Sequence, residues 1–94
     1  MDEQRVEAHV VVTGRVQGVC FRDFTQRAAL GEAVCGWVRN LPDRNVEALL
    51  QGNPVAVARV IQQMRVGPPA ARVTDIRVDM RPAEVPHDKF EIRY

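Results

Sequence analysis

The sequence predicts an α+β fold with two helices on one face of a mostly antiparallel sheet. Three observations carry that prediction. Short runs rich in β-branched residues alternate apolar and polar side chains, as half-buried strands do. Two longer stretches place their apolar residues at helical spacing instead. Their order along the chain is β-α-β-β-α-β plus a short C-terminal strand, the order of the ferredoxin-like split βαβ sandwich.

Val6 to Thr13 sets Val6, Ala8, Val10 and Val12 on one face and reads as the first strand. From Phe21 to Leu30, Phe21, Phe24, Ala28 and the adjacent Ala29 follow a helical face. Val34 to Leu41 returns to strand character, with Trp37 packing on the sheet. Leu41 to Asn45 reads as a hairpin turn in which Pro42 fixes one φ and Asn45 accepts the left-handed region. Val46, Ala48 and Leu50 then alternate inward on a third strand.

The second helix is the plainest element. Asn53 suits the N-cap, Pro54 the first helical position and Gly67 the exit. Val57, Val60, Ile61 and Met64 form the i, i+3, i+4, i+7 stripe of a helix lying on a sheet, and Pro68-Pro69 stops it. Beyond it, Thr74, Ile76, Val78 and Met80 alternate with Val73, Asp75, Arg77 and Asp79 as a half-buried fourth strand, with Met64 and Met80 in the core. Phe90, Ile92 and Tyr94 close the sheet.

Ninety-four residues suit one domain, residues 1–94, whose core starts near residue 6. Thirteen basic and twelve acidic residues leave a net charge of +1, too little for a broad nucleic-acid-binding face. Base stacking on strand aromatics is excluded too, because two of the five aromatic residues fall on the first helix. Cys20 and Cys35 form neither a disulfide framework nor a CxxC pair, and read as reduced thiols. The charged start MDEQRVEAHV has no apolar signal core, and no window has the length of a membrane span. A soluble cytoplasmic protein with no membrane partner is expected. The layout itself selects no activity.

Chemistry concentrates in GRVQGVCFR, residues 14–22, between the first strand and the first helix. A helix start normally satisfies its free N–H groups with Ser, Thr, Asp or Asn. Gln17, Gly18, Val19 and Cys20 supply no such acceptor, while Gly14 and Gly18 let the backbone curl with its N–H groups converging. Such a nest at a helix N-terminus binds anions. Arg22 then stands in the first turn, where the helix dipole disfavours a cation by about 0.3–1 kcal/mol. An anion between the loop and Arg22 resolves that conflict, and a guanidinium can hold two phosphate oxygens at once. Arg15 precedes the turn and suits either a similar part or solvent. On the residues alone, a plain βα loop with a solvated arginine stays equally open. Asn40, ending the second strand, suits either an ordinary turn boundary or a water-holding amide near that loop.

GRVQGVCFR at 14–22 together with GWVRN at 36–40 resembles the paired signature of the acylphosphatase family. The resemblance runs from about Val6 to Tyr94 and includes Gly52 to Val57, Gly67-Pro68 and Phe90-Glu91-Ile92. It implies hydrolysis of acyl phosphates to a carboxylate and inorganic phosphate, with no metal and no organic cofactor. By motif position it implies that Arg22 binds the phosphate and Asn40 orients the attacking water. The backbone of Arg15, Val16, Gln17, Gly18, Val19, Cys20, Phe21 and Arg22 corresponds to the anion cradle. The implied partner is a small acyl phosphate, and the expected state is a monomer. A free-standing enzyme is expected, because nothing follows Tyr94.

Three departures from the family pattern stand out. The usual Leu-Gly-Leu before the second strand is Glu32-Ala33-Val34, with the glycine moved to Gly31. Arg44-Asn45 occupies a hairpin that usually contains glycine, and Cys20 stands where glycine or another small residue is common. A nucleophilic role for Cys20 conflicts with its spacing, since cysteine phosphatases need five residues between Cys and Arg and only Phe21 intervenes here. His9 lies opposite Val10 with no partner legible in the sequence, and His87 falls in a loop. Asp23 suits the dipole of the first turn, and Glu47, Asp75 and Asp79 point outward without forming a metal set. The rival classes are a regulatory domain or a degenerate anion binder on the same scaffold.

Overall fold

Alternation and helical spacing translate into seven elements in the computed structural model, which describes residues 5–94. The start of the charged segment noted above, residues 1–4, lies outside the described residues. The strands are β1 (Val6–Arg15), β2 (Cys35–Asn40), β3 (Val46–Gly52), β4 (Arg72–Pro82) and β5 (Phe90–Arg93). The helices are α1 (Phe21–Gly31) and α2 (Pro54–Val66). The strands form one sheet in the order β4-β1-β3-β2-β5. All pairings are antiparallel except β2 with β5, which is parallel. This is the α+β, ferredoxin-like βαββαβ arrangement with a short C-terminal strand.

Register explains the core. Ala8 faces Leu50, Val10 faces Ala48 and Val12 faces Val46 across β1 and β3, and all six are fully buried. The predicted stripe of α2, Val57, Val60, Ile61 and Met64, packs with them, as do Phe21, Ala28 and Ala29 of α1. Removing these apolar surfaces from water drives the two-layer packing. Asn53 caps α2 as expected, its Oδ1 accepting from Val55 N at 2.9 Å.

Four expectations need correction. Met80 is 47% exposed and Val78 also faces solvent, because β4 is the sheet edge and, among the described residues, only Val73 and Ile76 of this strand pack against the core. Alternation identified the strand but not what covers it. In the hairpin, Arg44 rather than Asn45 takes the left-handed conformation, at φ 75°. Asn45 N instead donates to Asp43 Oδ1. Tyr94 lies beyond the end of β5 and is almost wholly exposed. His9 has a partner on β3, with Nε2 2.6 Å from Glu47 Oε2. Burial opposes ionisation of Glu47, but His9 and Arg39 outweigh it and hold its carboxyl below the ordinary value.

Candidate active site

β1 extends past its predicted end and changes register between Thr13 and Gly14. A side chain at position 14 is impossible, since a Cβ would lie 2.1 Å from the carbonyl oxygen of Arg72. The chain therefore leaves β1 pressed against β4 and turns at Gly18, whose φ is +74°. Val16 and Phe21 are buried on either side of the turn and anchor it in the core. Gly18 and Cys20 stay exposed at its crest.

Where α1 begins, the boundary residue Cys20 is left-handed (φ 63°, ψ 28°), and no side chain caps the helix. The first bonded amide is Phe24 N, which donates to Cys20 O at 3.0 Å. Among the described residues, no backbone N–H from Val16 to Asp23 finds an acceptor within the protein. A run of free donors at the positive end of a helix dipole creates a strong local preference for negative charge. Asp23 does not answer it, because its carboxylate is engaged by Arg27 one turn along.

The Arg22 side chain reaches across to the end of β5. Its Nη1 donates to Arg93 O at 3.1 Å, and its guanidinium lies 4.6 Å from the centre of the Tyr94 ring. The sheet thus organises the site, because β5 pairs with β2 through Val38 with Ile92 and Arg39 with Arg93. Asn40 is the next residue along β2. Opposite the inward Val46, it stands on the helix-covered side of the sheet and is half-buried.

A cleft of about 420 Å³ opens between these parts. Val16, Gly18, Cys20, Phe21, Arg22 and Asn40 line it, so the two sequence motifs meet in one space. Arg15, Gln17 and Val19 do not line it; Arg15 and Gln17 border a separate depression beside Arg44. Ile92 and Tyr94 were missed as wall residues. Their signal in the sequence was faint, since it lay in the parallel pairing of a four-residue strand. Among the described residues, no three His, Cys, Asp or Glu side chains gather in a metal-holding group, and no helix is long and apolar enough to cross a membrane.

Residues 8–92 match the family model described as Acylphosphatase. An acylphosphatase of Syntrophobacter fumaroxidans is 45% identical over 94 residues, covering all of this chain and 95% of that one. One from Gloeobacter violaceus is 58% identical over 73 residues, 78% of each chain. The chain belongs to the acylphosphatase family. The crystal structure of acylphosphatase from Bacillus subtilis superposes with a TM-score of 0.92 at 37% identity, covering 95% of this chain and 99% of that one. Family and fold together support hydrolysis of acyl phosphates.

Family membership gives meaning to the three departures. Cys20, Ala33 and Arg44 are the non-glycine residues with positive φ among the described residues, at 63°, 56° and 75°. Each is a position at or beside which the acylphosphatase pattern favours glycine. Each residue carries the steric cost of a left-handed Cβ, about 1–2 kcal/mol.

Proposed function

We propose that this protein hydrolyses the carboxyl–phosphate bond of acyl phosphates through the backbone amides of residues 16–22, Arg22 and Asn40, with Arg15, the end of β1, outside the cradle. The observation that carries the reading is the convergence on one cleft of free helix-start amides, an arginine and a strand-end amide side chain. The amides and the guanidinium grip the phosphoryl oxygens and neutralise the charge they gain in the transition state. Preorganised donors of this kind need no rearrangement as charge develops.

Arg22 is well suited to that part. Its Nη1 already donates to the Arg93 carbonyl at the edge of the cleft that Arg22 lines, which directs the planar guanidinium toward that space. Asn40 positions a water for in-line attack on phosphorus, donating to or accepting from it as the geometry requires. The acyl phosphate is a mixed anhydride with a carboxylate leaving group, so protonation of that group is unnecessary. No side-chain base stands in either motif, and the attacking water gives its proton to a phosphoryl oxygen of the substrate. The P–O bond to the carboxyl oxygen breaks as the water oxygen bonds to phosphorus, leaving a carboxylate and inorganic phosphate.

On this reading the enzyme needs neither metal nor organic cofactor. It acts as a single domain and a monomer in the cytoplasm, with a small acyl phosphate as its partner. The test is hydrolysis of an aryl acyl phosphate with EDTA present, for the wild type, Arg22→Ala and Asn40→Ala. Full wild-type turnover with both variants impaired is expected. Activity lost to EDTA, or retained in both variants, overturns the reading.

A further inference from the structure

The side chain of Gln17 is bound to the hairpin that follows Asn40. Its Nε2 donates to Leu41 O and to Asn45 O, both at 2.8 Å. Both partners are carbonyl oxygens, so the donor end of the amide must face them, and its two N–H groups are both used. Neither carbonyl is an idle acceptor. Leu41 N donates to Asn45 O at 2.8 Å, and Arg44 N donates to Leu41 O at 3.1 Å. Gln17 therefore clamps the pair of carbonyls that closes the β2–β3 turn, and the first residue of that turn is bonded covalently to Asn40.

We infer that Gln17 is a positioning residue for the hydrolytic reaction, fixing the distance between the phosphate cradle and Asn40. This rests on the roles of the cradle and Asn40 given above. The two halves of the site come from chain segments far apart in sequence: the cradle from the β1–α1 loop, Asn40 from the end of β2. Val16 and Phe21 anchor the loop in the core and Arg22 ties the start of α1 to Arg93 of β5, while the Gln17 bonds tie the loop directly to the turn that follows Asn40. At the hairpin, the clamp holds the loop and the strand end in one hydrogen-bonded unit.

The hairpin itself needs such a clamp. Arg44 takes a left-handed conformation with no glycine to relieve it, so the turn holds a strained residue beside the carbonyls that Gln17 grips. Among the described residues, no other side chain of residues 15–20 bonds to the hairpin carbonyls. Val16 and Val19 are apolar, Gly18 has no side chain, and Cys20 lies across the crest, on the cleft. The Gln17 side chain borders the depression beside Arg44 and not the cleft, so its side-chain amide, unlike its backbone N–H, has no place on the substrate. It acts through Asn40.

The test is a double-mutant cycle on kcat with Gln17→Met and Asn40→Ala, together with the inhibition constant of inorganic phosphate and the thermal midpoint of each variant. Gln17→Met keeps length and bulk but donates nothing. Gln17→Glu is the second variant, nearly isosteric and repelled by both carbonyls. Misplacement of a reacting group by about 1 Å can cost 10²-fold, so Gln17→Met should lower kcat by roughly 10- to 100-fold in the wild-type background. In the Asn40→Ala background it should lower kcat by about 2-fold at most, because the group it positions is already gone. Phosphate inhibition should stay within about 3-fold of the wild type, since the cradle and Arg22 remain.

Equal losses in the two backgrounds overturn the inference, as do unchanged kcat in both Gln17 variants or a loss confined to phosphate affinity. If both Gln17 variants fail to fold, Gln17 is a residue the fold requires, and the inference is wrong. Asn40→Ala separates the two levels of the account. If it turns over like the wild type, the role of Asn40 fails, and the inference fails with it. If it is slow while the Gln17 variants are fast, only the inference fails.

Discussion

The two helices of this protein begin in opposite ways. At α2, Asn53 Oδ1 accepts from Val55 N, Asn53 O accepts from Val57 N, and Pro54 brings no N–H to satisfy. At α1 the boundary residue is a left-handed cysteine, no side chain caps the helix, and a cation stands in the first turn. One start is built for stability, the other leaves its donors open at some expense. The difference supports the proposed anion site at α1, the helix start whose donors are left open.

The sharpest way to break this comparison is to change the cation. Arg22→Lys should lower kcat/KM by about 10³-fold or more in acyl phosphate hydrolysis, the lower bound for an arginine that stabilises phosphoryl-transfer charge. Near-normal turnover would remove bidentate recognition from the account. Asn40→Ala should reduce kcat by roughly 10²–10³-fold with little change in KM, as when one preorganised donor is lost. A larger effect on KM would make Asn40 a binding group instead.

Two smaller effects address the helix starts themselves. Asn53→Ala should cost about 1 kcal/mol in urea unfolding while leaving kcat unaltered. Cys20→Gly should act in the other direction, raising stability by roughly 0.5–1 kcal/mol, because relief of the left-handed Cβ exceeds the added flexibility of glycine. Stability that falls on Cys20→Gly would mean that the thiol makes a contribution beyond its backbone conformation.

The same contrast shows what was legible in the sequence. Asn53, Pro54 and the Val57–Met64 stripe announce α2 because every signal there is local. The uncapped start of α1, where the cradle is proposed, was legible for the complementary reason, since residues 17–20 offer no capping acceptor. Met80 misled, since an alternating strand looks the same whether a helix covers it or solvent does. Arg44 misled because Asn tolerates the left-handed region better than Arg, yet Asp43 claimed the backbone N–H of Asn45 and shifted the strain back by one residue. The clamp by Gln17, the His9–Glu47 contact and the Tyr94 wall all depend on strand order and register. No spacing within the chain encodes those.

The most direct measurement is a titration of the wild-type protein with inorganic phosphate, followed through the backbone amide resonances of both helix starts. The largest shifts should fall between Val16 and Asp23, saturating at the concentration that inhibits hydrolysis, while Val55 to Val57 stay still. Shifts of equal size at both helix starts, or a loop that does not respond at inhibitory phosphate, would contradict the account.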